Sequence, residues 1–437
     1  MNLTRSARAL LVVGSVVALL AVPSSADAHA VLVTATPGWG SVLPAAPRVV
    51  TLTYDEDVVP RYARVAVVSP GGKNLAGPPR VTGHVVAVQV QPGRVGSYTV
   101  RWRMVASDDG HVTEGAFSYG VRTKPLPPAP ASGVSVPVAP ELLAWLQFVG
   151  VVLAGGALTF RALVLAPAAR ALGGRVERES GLAIWGGVIG ATVALHAGLF
   201  GFLVGAYPIV GGGLVNVINT QIIPIRLGTH LGQAWTLTTF AWLGVLALLV
   251  GAWVTPRRRE PLLAGAGILS LGIAFGISWA SHPASRGTVA VFADYVHLVA
   301  GALWLGGVVA LAILAGVARP LSRPDREGLV LACLMRFSRL AVSMVAMLAI
   351  AGTYLAVREL PAPSALLTSS YGLTLLLKSI VFAAALGLGG YHRRFAVPRI
   401  AAGAPAATIR RTLVVEASLL FGALALAAIL SQTPPPT

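Results

Sequence analysis

The sequence is poor in cysteine and in charge. Its 437 residues include one cysteine, Cys333, which excludes an internal disulfide and a cluster of thiolate metal ligands. Charged residues make up 11% of the chain and hydrophobic residues 55%, whereas soluble domains carry about 25% charged residues. We therefore expect most of the chain to lie in lipid rather than in water.

Acidic residues are scarcer than basic ones, 16 against 33, which gives a formal net charge of +17. In a soluble protein this excess would favour nucleic acid as a partner. Here the arginines fall between long apolar runs, as they do in the cytoplasmic loops of membrane proteins. We therefore expect a lipid membrane as partner and no nucleic acid. No nucleotide is expected either, because the motif G-x-x-x-x-G-K-[ST] does not occur.

Residues 1–28 have the three-part pattern of a secretory signal peptide. Two arginines precede an apolar run over 9–22, and small residues follow it. Cleavage after Ala28 makes His29 the first residue of the mature chain, whereas cleavage after Ala30 removes it. The first site lies at the more usual distance from the apolar run, so we predict a mature chain that begins at His29. The second site and an uncleaved anchor are the alternatives.

Residues 29–124 are predicted to form a small all-β domain outside the cytoplasm. Short runs of alternating apolar and polar residues are separated by turns rich in Gly and Pro, which is typical of an antiparallel sandwich or barrel. The predicted strands are 49–54, 63–68, 84–90, 97–105 and 115–121. A Pro-rich linker over 125–140 is expected to be stiff and extended.

Residues 141–431 are predicted to form an all-α membrane domain of eight transmembrane helices. Their expected positions are 142–167, 181–206, 233–254, 262–281, 289–317, 329–357, 370–391 and 412–431. If the first helix starts outside, the inner connections are rich in arginine and the outer ones hold only Arg226, Arg286 and Arg358. This bias agrees with the positive-inside rule and predicts a multi-pass protein of the cytoplasmic membrane with its tail, 432–437, outside.

A candidate metal site lies in the β-domain. Asp109 and His111 are two residues apart, so in a strand their side chains point to the same face. Carboxylate and imidazole ligands suit Cu(II) or Zn(II). A free His29 would add its α-amine, whose ordinary pKa is about 8, and its ring nitrogen. The resulting set of nitrogen and oxygen ligands is one that Cu(II) prefers, with Asp108 as an alternative carboxylate.

A second group of candidate residues lies in the membrane domain, where ionisable side chains are costly and usually functional. The predicted topology places these in the outer half of the bilayer: His196, His230, His282, Asp294 and His297. Asp294 and His297 share a helix face, and Trp304 follows on that face. They form a candidate path for a metal. Alternatively, each histidine bonds to a neighbouring helix or lies among lipid headgroups.

Other polar residues receive structural interpretations. Lys378 and Glu416, in the seventh and eighth predicted helices, are expected to form a structural pair, with a proton path as the alternative. His392 is interpreted as a loop residue at the inner edge, beside two arginines. His84 is interpreted as a surface residue without a partner.

Several motifs resemble those of a copper-handling family. A leader that ends before His29 and the motif D-G-H-x-x-x-G-x-F over 109–117 are similar to CopC, a periplasmic copper carrier. Four later segments are similar to CopD, its membrane partner: 292–311, 337–356, 371–399 and 410–428. The chain thus looks like a CopC–CopD fusion. The resemblance implies a Greek-key sandwich in which His29, Asp109 and His111 bind Cu(II).

Soft ligands for Cu(I) are few. Some CopC proteins carry a Met-rich loop for Cu(I), but the predicted sandwich holds a single methionine, Met104. Met344 and Met347 are three residues apart in the sixth predicted helix and are interpreted as apolar filler, with passage of Cu(I) as the alternative. The sequence therefore favours Cu(II) as the ion that the sandwich binds.

The leading hypothesis is a copper transport protein and not an enzyme. The sandwich would capture Cu(II) outside, and the tethered membrane helices would carry copper inward, with a soluble copper chaperone as a further candidate partner. One alternative is a membrane cupric reductase with haem between His196 and His297. Others are a membrane-anchored copper buffer and a copper-dependent oxygenase.

Overall fold

Eight short strands form the first part of the chain in the computed structural model. Their bounds are Leu32–Thr36 (β1), Val42–Leu43 (β2), Val49–Tyr54 (β3), Arg64–Val68 (β4), Arg80–Thr82 (β5), Val85–Gln89 (β6), Gly96–Val105 (β7) and Val112–Val121 (β8). The structure describes residues 32–91, 93–107, 112–128, 140–173, 180–210, 230–281, 283, 286–317 and 323–433. The predicted signal peptide therefore lies outside the described residues, as do most of the linker and residues 434–437 of the tail.

The strands form two four-stranded sheets, in the orders β1-β3-β6-β5 and β2-β8-β7-β4. Side chains of β3 alternate, and Val50, Leu52 and Tyr54 are buried between the sheets. Val50 pairs with Val88 of β6, and Leu52 pairs with Val86. Most connections cross from one sheet to the other. The domain is therefore the expected all-β sandwich of Greek-key type.

The strand predictions are confirmed for the longer strands and incomplete for the shorter ones. The predicted strand over 49–54 coincides with β3, and the other four predictions overlap β4, β6, β7 and β8. The sequence analysis missed β1, β2 and β5, which have five, two and three residues. The pairing of β2 with β8 is parallel, which differs from a purely antiparallel sandwich.

Helices form the second part of the chain. Their bounds are Pro140–Val151, Ala157–Phe160, Ala166–Ala171, Ser180–Val210, His230–Val254, Arg259–Trp279, Thr288–Val317, Arg323–Glu359, Ala365–Thr368, Ser370–Tyr391, Val397–Ala401 and Arg410–Leu430. Within the described ranges, eight apolar segments are long enough to cross a membrane, which confirms the predicted number of transmembrane helices. We call them the first to eighth spans: Glu141–Ala171, Ala183–Val204, Gly232–Val254, Pro256–Trp279, Thr288–Gly316, Glu327–Glu359, Ser370–Ala401 and Ala407–Leu430.

Turns of π-helix interrupt the first and seventh spans. In the first span they cover Val152–Gly156 and Arg161–Leu165, and in the seventh span His392–Ala396. Near the first of these turns, the backbones of the first and fifth spans touch. A Cβ atom added to Gly306 would lie 2.6 Å from the Cα of Gly156, so this crossing requires glycine on both helices.

The sandwich packs against one end of the helical bundle. Val59, Tyr62 and Val105 of the sandwich form a buried cluster with Phe202 of the second span. We call the half of the bundle next to the sandwich the near half and the opposite half the far half. The fifth and seventh spans begin in the near half, and the eighth span begins in the far half.

Candidate functional site

A cavity of about 1640 Å³ lies between the sandwich and the near half of the bundle. Its sandwich wall includes Arg103 of β7 and Val112, Thr113 and Glu114 of β8. Its membrane wall comes mainly from the fifth to eighth spans, and Asp294, His297 and Trp304 of the fifth span belong to it. The predicted face of the fifth span therefore borders an internal space that reaches the sandwich.

His297 is held in an orientation that suits metal binding. Its Nδ1 lies 3.2 Å from the carbonyl oxygen of Leu348 in the sixth span. Because a carbonyl only accepts, Nδ1 carries the proton and the neutral ring keeps a lone pair on Nε2. Metal-binding histidines are commonly fixed in this way.

The sixth span has a glycine where the His297 ring approaches it. A Cβ atom added to Gly352 would lie 2.9 Å from Cε1 and 3.2 Å from Nδ1 of His297. Both distances are below ordinary van der Waals contact, so a larger residue at 352 would push the ring away. The absence of a side chain at Gly352 therefore leaves room for the imidazole ring of His297.

Asp294 lies among other ionisable groups of the cavity wall. It interacts electrostatically with Lys378 and Tyr371 of the seventh span. Lys378 in turn interacts with His297. The predicted pairing of Lys378 with Glu416 is therefore wrong, since Glu416 pairs elsewhere and Lys378 shares the cavity with Asp294.

Large apolar side chains border the cavity on the side of these polar groups that is closer to the far half. Trp304 is buried and meets Phe382 of the seventh span edge to face, with the ring centres 5.7 Å apart. Leu420 of the eighth span, also buried, lies on the cavity wall. These three side chains are apolar, so the polar part of the cavity is its near part.

Three acidic residues of the described cavity wall, Glu114, Glu141 and Glu359, were not among the candidates predicted from the sequence, and Glu359 is the most buried of them. Glu359 ends the helix of the sixth span, is 4% exposed, and lies 3.4 Å from Arg286. The sequence signal was an acid beside Arg358 at the outer end of an apolar run.

The proposed ligands of the sandwich, His29, Asp109 and His111, lie outside the described residues. Their described neighbours meet at one end of the sandwich. Leu32, at the start of β1, pairs with Tyr54, and the Ser107 N–H donates to the carbonyl oxygen of Asp57 at 2.8 Å. Val112, the first described residue after Ser107, borders the cavity. This end of the sandwich is the end that faces the bundle.

The remaining candidate histidines are separate from these groups. His196 is exposed on the second span, and its Nδ1 lies 2.8 Å from the carbonyl oxygen of Thr192; it is not among the described cavity residues. His196 and His297 thus lie in different surroundings, which does not favour a haem between them. The helix of the third span begins at His230, but its side chain lies outside the described part of the chain, as does His282.

His84 and His392 both have acidic partners. His84 is a surface residue, as predicted, but it does have a partner, and for His392 the predicted loop position is wrong. His84 lies 3.6 Å from Asp57, and both side chains are more than half exposed. His392 is buried rather than part of a loop, and its Nδ1 lies 2.9 Å from Oε2 of Glu416. Its Nε2 lies 2.7 Å from the hydroxyl of Thr412. The far half of the bundle therefore contains a closed hydrogen-bonded group.

Among the described residues, no three His, Cys, Asp or Glu side chains come together as a metal site. The donors of the cavity are therefore spaced along its wall instead of surrounding one point. Such an arrangement suits passage of an ion better than its storage, since conduction requires several weak sites.

Comparison with protein families supports the two-part organisation. Residues 32–122 match the family model of the CopC domain, and residues 331–430 match that of Copper resistance protein D, or CopD. One chain therefore contains a segment that matches the CopC model, followed by a segment that matches the CopD model. Asp294 and His297 precede the segment that matches CopD, whereas Glu359 and Lys378 lie within it.

Known proteins of this kind include a curated relative and a solved structure. The chain is 24% identical to Copper transport protein CutJ of Bacillus subtilis over 96% of its own length and 76% of the length of that protein. It is also similar to the crystal structure of CopC from Methylosinus trichosporium OB3b, with 27% identity. That match covers 23% of this chain and 99% of the other, with a TM-score of 0.21.

Proposed function

We propose that this protein transports copper across the cytoplasmic membrane. The CopC domain captures Cu(II) outside through His29, Asp109 and His111, and the eight spans carry copper inward. The copper-transport name of the Bacillus subtilis relative and the two copper-related domain matches support this function. The arginine-rich inner connections support the orientation of the chain.

The observation that carries this proposal is the cavity between the CopC domain and the near half of the bundle. Val112, the residue that follows His111 in the chain, borders the same space as His297 and Asp294. An ion released by Asp109 and His111 would thus enter a space bordered by an imidazole and a carboxylate. It would not have to cross an apolar barrier first.

The membrane residues have distinct roles in this mechanism. His297 offers Nε2 as a ligand because Leu348 holds its other nitrogen. Asp294 contributes a carboxylate, and Lys378 lies on the same cavity wall. Trp304, Phe382 and Leu420 form an apolar boundary toward the far half, through which copper must pass after a movement of the helices.

The direct test is copper accumulation in cells that produce His297→Ala. We expect accumulation to fall to the level of cells without the protein, because the cavity loses its imidazole ligand. His196→Ala is the matched control, since it removes an exposed histidine of another span and should leave accumulation unchanged. Wild-type accumulation by His297→Ala would overturn the proposed role of the cavity.

The capture step has a separate test at the mature N-terminus. We expect N-terminal sequencing of the exported protein to give His29 as the first residue, and Cu(II) binding to be lost in His111→Ala. A mature chain that begins at Val31 would remove the proposed chelate, because the α-amine and imidazole of His29 would both be absent.

A further inference from the structure

The buried carboxylate of Glu359 has no hydrogen bond within the described part of the chain. Its side chain is 4% exposed, and neither carboxylate oxygen has a hydrogen-bond partner among the described residues. A buried carboxylate in this condition is costly and is normally paired or bound to a metal. Glu359 also belongs to the cavity wall, so a cation in the cavity can reach it.

Among the described residues, Arg286 is the ion-pair partner of Glu359, and it is poorly placed. Nε of Arg286 lies 3.4 Å from Oε2 of Glu359, and the Arg286 side chain is 41% exposed. Contact at this distance and without hydrogen-bond geometry leaves most of the capacity of the carboxylate unused. Arg286 therefore neutralises Glu359 without closing off its oxygens.

Glu359 is linked to the deeper groups of the cavity through Tyr371. The Tyr371 phenol interacts electrostatically with Glu359, Asp294 and Arg286. Asp294 is three residues before His297 on the same helix face. Oxygen donors thus extend from the partly exposed Arg286 to the imidazole of His297.

The metal donors on the described cavity wall are oxygen and nitrogen groups, without sulfur. Its described wall contains carboxylates, an imidazole and a phenol, but no methionine and no cysteine. Met344 and Cys333, both buried, are not part of that wall. Oxygen and imidazole ligands suit Cu(II), whereas Cu(I) prefers thioether and thiolate sulfur.

We propose that Glu359 is the first membrane site for copper, that it accepts the ion as Cu(II), and that Arg286 is the counter-ion which the arriving ion displaces. Copper then moves from the Glu359 carboxylate to Asp294 and His297. No electron transfer is required for these steps. This inference rests on the proposed function, since it assigns the loading step of the same cavity.

The test is the initial rate of Cu(II) uptake into vesicles that contain the full-length protein, measured over a range of copper concentrations. We expect Glu359→Gln to raise the KM for copper about tenfold. Arg286→Gln should lower the KM, because the carboxylate loses its competitor. The double variant should behave like Glu359→Gln alone. A gain in Arg286→Gln cannot arise from misfolding, so the pair remains informative if Glu359→Gln folds poorly.

Glu141→Gln is the matched control, because Glu141 is another carboxylate of the same cavity wall. It should leave the KM near the wild-type value. Equal effects of the Glu141 and Glu359 variants would overturn the inference, since they would indicate general attraction of cations. An unchanged KM in Glu359→Gln and Arg286→Gln would overturn it as well.

The choice of Cu(II) has its own test with Ag(I), which resembles Cu(I) and does not change oxidation state under these conditions. We expect Ag(I) to compete weakly with Cu(II) for uptake. Strong competition that Glu359→Gln abolishes would overturn the assignment of Cu(II). Loss of uptake in His297→Ala together with a wild-type KM in Glu359→Gln would reject the inference about Glu359 but keep the proposed function. Full uptake in His297→Ala would reject the function itself.

Discussion

The near and far halves of the bundle both contain ionisable side chains, but the two sets differ in their surroundings and in their hydrogen bonds. In the near half, Asp294, His297 and Glu359 border a large cavity, and Glu359 has no hydrogen bond within the described residues. In the far half, His392 and Glu416 are buried against each other, and Thr412 completes the group. The near groups have capacity for a ligand, whereas the far groups satisfy one another.

This difference separates two uses of polar residues in a membrane protein. A closed pair contributes to helix packing, because removal of one partner leaves a buried group unpaired. An open group contributes little to packing and is available for an ion. Burial alone does not distinguish the two, since Glu359 is 4% exposed and Glu416 is 2% exposed. Their hydrogen bonds do.

The largest expected effect tests the closed pair. Glu416→Ala should reduce the free energy of unfolding by about 3–5 kcal/mol, because it leaves His392 buried without its acidic partner. His297→Ala, which empties a position beside a cavity, should cost much less. Thermal unfolding of the purified protein in detergent measures both. Replacement of His392 and Glu416 together by leucine should recover most of the loss; equal destabilisation by Glu416→Ala and His297→Ala would erase the distinction between the halves.

A smaller loss of stability is expected in the near half, at the contact between Gly352 and the His297 ring. Gly352→Ala should displace the His297 ring at a cost of about 1–3 kcal/mol and should lower copper uptake. Gly387→Ala is the control, because a Cβ atom there meets no atom within 4 Å. Uptake assays and unfolding curves for both variants check this. Normal uptake by Gly352→Ala would show that the ring position is not critical.

The core of the sandwich buries ionisable side chains as well, namely its tyrosines. Burial raises the pKa of Tyr119 to about 12 and that of Tyr54 well above its usual range, whereas an unfolded tyrosine has a pKa of about 10. Both states keep their protons below pH 10, so this contribution to stability is complete there. As the pH rises above about 10, the unfolded state ionises first and the sandwich loses stability. Far-ultraviolet circular dichroism from pH 8 to pH 12 should show the loss, and Tyr119→Phe should reduce its slope.

The smallest effect is expected at the exposed contact of His84 with Asp57. Exposed ion pairs contribute about 0–1 kcal/mol, so His84→Ala should hardly change the unfolding midpoint. Its Cu(II) affinity should equal that of the wild type, in contrast to His111→Ala. Calorimetric titration with Cu(II) measures both variants, and a loss of affinity in His84→Ala would add His84 to the metal site.

The sequence could have predicted the correct partner of Glu416. The seventh span runs from the near end to the far end, and the eighth span returns. At 1.5 Å per residue, Glu416 lies about 9 Å from the start of its helix at Arg410, close to the level of His392. Lys378 lies about 21 Å from His392 along the seventh span, too far for the pair that the sequence analysis predicted.

Other features could not be read from the chain. His392 precedes Arg393 and Arg394, which resemble an inner loop, and only packing shows that a turn of π-helix buries its ring. Glu359 adjoins Arg358 in sequence, but its contact is with Arg286, 73 positions away, on a different connection. The longer strands were predictable because β3 alternates between buried and less buried side chains, whereas two-residue β2 has no period to detect.

The glycine crossing at Gly156 and Gly306 has a consequence for how the bundle can open. Small residues let helix backbones approach closely, and at this crossing a Cβ atom on either glycine would meet the backbone of the other helix. We therefore expect the helix that carries Asp294 and His297 to stay packed against the first span, and the movement that the proposed transport requires to come from the sixth and seventh spans. Spin-label distances between the first and fifth spans should stay constant when copper is added, and a change of several ångströms would place the hinge elsewhere.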